Sequence, residues 1–111
     1  MSTLEQLLEW RDKGPIPDDI HPLLRAMLLE AAGDWDAAHT IAQNDSGPTG
    51  AWVHAYLHRV EGDLGNAGYW YSRAGKALPS ISLREEWEQI ALSIHSKASF
   101  KYPNNEKPKP K

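Results

Sequence analysis

"WVHAYLHRVEGDLGNAGYWYSRAG", Trp52–Gly75, decides the fold. It reads as two helical segments with Gly62-Asp63 between them. Gly is a helix terminator and Asp a helix N-cap, so the pair reads as the turn of a helical hairpin. Helices are expected over roughly 50–61 and 64–75. The same turn occurs earlier, in "EAAGDWDAAHTIA", Glu30–Ala42. In both copies an alanine follows the aspartate by four residues, Ala38 and Ala67. A small residue there lets two helices approach closely.

The flanking segments are also helical in pattern. "STLEQLLEWRDKG" carries the Ser2/Glu5 capping-box spacing and a Leu4, Leu7, Leu8 face, and Gly14-Pro15 ends it. Asp18 or Asp19 is expected to cap a second helix whose apolar stripe is Ile20, Leu23, Leu24, Met27, Leu28 and Ala31. Asp34 is expected to cap a third, with Trp35, Ala38, Ile41 and Ala42 inward. "NDSGPTG", Asn44–Gly50, is a loop on composition. Ser82 with Glu85 repeats the capping-box spacing before a last helix with Leu83, Trp87, Ile90, Ala91 and Ile94 on one face. No segment alternates as a half-buried strand does. The expected fold class is therefore all-α, with about six helices arranged as antiparallel hairpins.

The chain has 111 residues and no cysteine, which predicts one domain over residues 1–98 without disulfides or thiolate chemistry. Its hairpins are placed at about 19–45 and 48–76. The net charge of −3 is unevenly spread. Residues 97–111 hold five lysines against one glutamate, leaving 14 acids and 7 bases elsewhere. Residues 99–111 are read as a flexible Lys/Pro-rich tail. An acidic body repels phosphate backbones, so no nucleic-acid partner is expected. No apolar run has the length of a membrane span, and "MSTLEQLLEW" lacks the pattern of a secretory signal. The expectation is a cytoplasmic protein without a membrane partner.

Over residues 19–79 the chain resembles the tetratricopeptide (TPR) helical hairpin. The second unit, Pro48 to Pro79, carries the resemblance at Ala55, Gly62-Asp63, Ala67, Tyr71, Ala74 and Pro79. The first unit matches at Ala26, Leu29, Gly33-Asp34 and Ala38, but departs at Ala42, Asp45 and Gly50. The resemblance implies a short TPR-like stack whose outer helices cap both ends. It also implies a groove for a protein or peptide, involving Trp52, Tyr56 and Arg59, residue types common in binding hot spots. A second resemblance is to a family of small uncharacterised proteins with the pattern HxxxHRxEGDxxNxxYW. Here that pattern is His54, His58, Arg59, Glu61, Gly62, Asp63, Asn66, Tyr69 and Trp70, and it implies no activity.

His54 and His58 carry the sharpest chemistry. At i and i+4 they share a helix face, and Glu61 continues it one turn on. Such imidazoles can chelate a divalent ion, with Glu61 as a third ligand. The residue after His54 is Ala55, so the zinc-protease signature is absent. The repeat pattern instead places both histidines inside the hairpin, where each ring nitrogen needs a partner. Glu61, Asn66, Tyr69 and Tyr71 are the expected partners. His21 and His95 read as surface residues, and the place of His39 is left open. Arg59 and Arg73 suit either ion pairs or recognition of a carboxylate or phosphate. The tryptophans read as packing anchors. Gly65 and Gly68 are expected to admit a close neighbour.

Two functions follow. The first is a protein- or peptide-interaction module, without catalytic residues or cofactor and compatible with a homodimer. The second is a small-molecule or metal-binding protein, perhaps an enzyme, using His54, His58, Glu61, Asn66, Tyr69 and Arg73, with Trp70 counted among the candidate binding residues. The second needs the polar cluster to converge on accessible space.

Overall fold

The structure is a computed structural model that describes residues 2–101, with side chains through residue 96. Six α-helices make up these residues: α1 (Thr3–Lys13), α2 (Pro22–Ala31), α3 (Trp35–Gln43), α4 (Pro48–Val60), α5 (Leu64–Arg73) and α6 (Leu83–Lys101). The fold is all-α, as the periodicity predicts. The last helix runs three residues past the expected domain end, and the tail beyond Lys101 lies outside the described residues. Among the described residues, no helix is long and apolar enough to cross a membrane.

Local signals set the helix ends. Ser2 and Glu5 form a complete capping box on α1, and Ser82 and Glu85 do the same for α6. Asp34 accepts from the Ala37 amide, and Asp63 from the Asn66 amide. Gly33 and Gly62 turn the chain at φ of 96° and 85°, conformations that glycine adopts without a Cβ penalty. One cap differs from expectation. His21, not Asp18 or Asp19, caps α2, its Nδ1 accepting from the Leu23 amide at 3.0 Å. Pro22 at the first helical position fixes this start, because its ring presets the helical φ.

α2 packs on α3, and α4 on α5, as two hairpins joined through an α3–α4 contact. α6 lies against α1, α2 and α4, while α5 packs on α4 and reaches α6 through the Tyr71–Glu86 hydrogen bond. The main core joins Leu7, Leu23, Leu24, Met27 and Leu28 to Val53, Leu57, Trp87, Ile90 and Ile94. Ala38 and Ala67, the equivalent small residues, are completely buried at the hairpin contacts. A second cluster, Ala55, Ala67 and Tyr71, closes the α4–α5 hairpin. Trp87 has no exposed surface, and its indole N–H donates to the Met27 carbonyl at 3.0 Å.

The close approach expected at Gly65 and Gly68 occurs elsewhere. A Cβ at Gly68 would meet nothing within 4 Å, and one at Gly65 only the Asp63 side chain at 3.9 Å. At Gly50 a Cβ would lie 2.5 Å from Asp45 Oδ1, so the turn into α4 needs glycine there. α5 carries its glycines on open surface because no helix covers its far side.

Candidate metal centre

Three imidazoles meet where α3 crosses α4. His54 and His58 project one turn apart from α4, as their spacing predicts. His39, from α3, completes the group. One ring nitrogen from each lies within 4.8 Å of the others. The closest pair is His39 Nε2 and His54 Nε2, 3.0 Å apart. His54 and His58 are 5% and 8% exposed, while His39 is half-buried and opens the cluster to solvent.

Tryptophans hold this geometry. Trp35 is one turn before His39 and stacks on it, centroids 4.7 Å apart and planes within 11°. Its indole N–H donates to the Leu57 carbonyl of α4 at 2.8 Å. That bond ties α3 to α4 at the residue next to His58. Trp70, from α5, stacks on His54 at 4.0 Å and 14°. His54 also stacks on His58 at 4.9 Å. Each of the three helices thus contributes rings to a single aromatic assembly.

The electrostatics favour neutral rings. Burial, then the neighbouring His39 and His58, push the His54 pKa from 6.5 to about 4. Burial, then His58, lower that of His39, against the opposing pull of Glu61 and Asp36. Neutral imidazole is the form that ligates a metal. His58 Nδ1 is 2.8 Å from Glu61 Oε2, an arrangement in which the ring N–H donates to the carboxylate. Nε2 of His58 then remains as a lone-pair donor. Asp63 lies beside this pair, completing a group of ligand atoms with His58 and Glu61.

The remaining expected site residues are distributed differently. Of the partners expected for the histidines, Glu61 alone takes that role among the hydrogen bonds described. Asn66 donates to Asp63 at 2.9 Å, and the Tyr69 hydroxyl accepts from Arg73 at 2.9 Å. Tyr71 OH donates to Glu86 at 2.6 Å. Arg73 also lies 5.5 Å above the Trp70 ring. His54 finds its partner in His39, which was not among those expected. His39 joins His54 and His58 in one group of possible ligand atoms, and Glu61 joins His58 and Asp63 in another. Glu61 orients His58 because the i+3 position places it at the ring's outer nitrogen.

Trp52, Tyr56 and Arg59, expected to line a groove, are engaged within the described fold. Tyr56 is 2% exposed. Arg59 Nη1 donates to Glu86 Oε1 at 2.8 Å, and Nη2 to the Ile81 carbonyl at 2.7 Å. Trp52 Nε1 donates to Glu86 Oε2 at 3.1 Å. Glu86, on α6, is itself 1% exposed. A buried carboxylate demands donors, and these residues supply them. They attach α6 to the second hairpin.

Comparison with known proteins finds no matching family model, curated protein or solved structure.

Proposed function

We propose that this protein binds a divalent transition-metal ion through His39, His54 and His58. The observation that carries the reading is the convergence of three imidazoles, two of them held neutral, from two different hairpins. A donor set of three imidazole nitrogens suits zinc, copper, nickel or cobalt better than magnesium or calcium, which prefer oxygen. The metal–nitrogen bond for zinc is about 2.0–2.1 Å, which requires about 3.3 Å between tetrahedrally arranged nitrogens. The 3.0 Å between His39 and His54 needs only a slight opening to match.

The surroundings support a cation. Glu61 hydrogen-bonds the back of His58, the arrangement that fixes a ligating histidine and raises its basicity. Glu61 and Asp36 both favour positive charge at His39. Three protein ligands leave one position of a tetrahedral ion for water or an exogenous group. The ion would also cross-link the hairpins, since His39 belongs to the first and His54 and His58 to the second. A TPR-like interaction role is compatible with this reading. Its expected peptide groove, however, lacks an equivalent carrier, because Trp52 and Arg59 are engaged by Glu86 and Tyr56 is buried.

Metal content tests the proposal. Tag-free protein is exposed to zinc, desalted and analysed by mass spectrometry of the element. One equivalent is expected; less than about a tenth of an equivalent rejects the site.

A further inference from the structure

Two solvent-open clefts lie beside Trp52 of α4. The larger, about 320 Å³, is lined by Trp52, Lys76, Leu78, Pro79, Glu86 and Gln89 among others. The smaller, about 210 Å³, extends past Pro48 and Ser93. Trp52 and Lys76 line both. Lys76 Nζ sits 4.0 Å from the centroid of the Trp52 ring, so one flexible side chain partitions the space. With that side chain moved aside, the two clefts would form one trough along the Trp52 ring.

The charge of this trough is one-sided. Glu86 is the only carboxylate among the described lining residues, and it is already saturated. It accepts from Trp52, Tyr71 and Arg59 and is 1% exposed. Lys76 makes no ion pair within 4.0 Å among the described residues. Its ammonium rests on an aromatic face in contact with solvent, a weak interaction that a ligand carboxylate outcompetes. Leu78, 64% exposed, and Pro79 form an apolar wall beside it. The combined size is at the small end of ligand pockets and suits one or two fused rings.

We infer that this trough binds a small planar aromatic carboxylate. The ligand ring stacks on Trp52, its carboxylate pairs with Lys76, and Leu78 and Pro79 cover its edge. The site is separate from the metal centre and does not depend on it.

The test is an NMR titration of the full chain, kept in chelator, with 1-naphthoate. The Trp52 indole N–H and the amides of Lys76 and Leu78 are expected to shift and saturate. Lys76→Met, an exposed position whose spectrum should otherwise superimpose, is expected to weaken binding by at least about tenfold. The neutral alcohol 1-naphthalenemethanol is expected to show no such difference between the two proteins. Diffuse shifts without saturation, shifts centred elsewhere, or equal naphthoate affinity in Lys76→Met would overturn the inference. So would tighter binding of tetramethylammonium at the same resonances.

Discussion

His39 Nε2 and His54 Nε2 lie 3.0 Å apart, although 15 residues and a helix–helix junction separate them. Neutral imidazole carries one ring proton, so a single proton serves both nitrogens in this contact. Adding a second proton turns two N–H donors on each other and makes one ring cationic in a desolvated site. The contact is thus stable with one proton, or with a metal ion in place of it.

Acid sensitivity follows from the sign of the shift. The His54 pKa falls from 6.5 in the unfolded chain to about 4 in the fold. Below 6.5 the unfolded state therefore binds more protons, and stability declines as pH drops toward 4. Beneath about 4 this group adds no further slope. Denaturant melts of metal-free protein across that window should show the decline, and His54→Gln should flatten it. An unchanged slope in His54→Gln would remove His54 as its source.

Metal should stabilise the fold by linkage. An ion that binds the native state alone adds about 2.7 kcal/mol at one hundred times its dissociation constant. Zinc is therefore expected to raise the melting temperature of the wild type reversibly with chelator. His39→Ala should lose the rise, since it cuts the tie between the hairpins. A rise of equal size in that variant would place the ion elsewhere.

Glu61→Gln separates orientation from ligation. Glu61 is exposed and its contact is with His58 Nδ1, which leaves Nε2 as the nitrogen proposed to ligate the ion. Loss of such an outer partner typically weakens metal binding by about 10–100-fold without removing the site. Zinc titration of this variant should show unchanged stoichiometry and a weaker constant. Complete loss of binding would make Glu61 a ligand instead.

The Glu86 cluster predicts stability rather than recognition. Removing Trp52 and Arg59 together leaves the Glu86 carboxylate buried with Tyr71 as its remaining donor among those described. Stripping partners from a buried charge costs about 3–5 kcal/mol. Urea melts of Trp52→Ala/Arg59→Ala should show a loss of that order. A change near zero would restore these residues as candidates for a free binding surface.

The fold was legible where local physics is decisive. Gly33-Asp34, Gly62-Asp63 and the two Ser/Glu capping boxes each act within four residues, and each marks a helix end in the structure. Ala38 and Ala67 were legible as close-packing positions for the same reason. The site was legible only along α4, where helical periodicity puts His54 and His58 on one face. His39 required knowing how α3 crosses α4, which depends on the Trp35 bond to the Leu57 carbonyl 22 residues away. Its fourth place after Trp35 in a helix was the available hint. The course of α6 was equally non-local. Glu86 lies in a run of charged residues, "LREEWEQ", and reads as solvated; its burial follows from donors on α4 and α5.

Cobalt titration of wild-type and His39→Ala protein tests the central claim most directly. Cobalt(II) takes zinc-type sites and absorbs strongly in the visible range when tetrahedral. The wild type is expected to develop that absorption with one equivalent, and zinc should abolish it. His39→Ala, still folded by circular dichroism, is expected to lose it. Wild-type protein that stays colourless, or a variant that colours equally, would contradict a metal centre built on His39, His54 and His58.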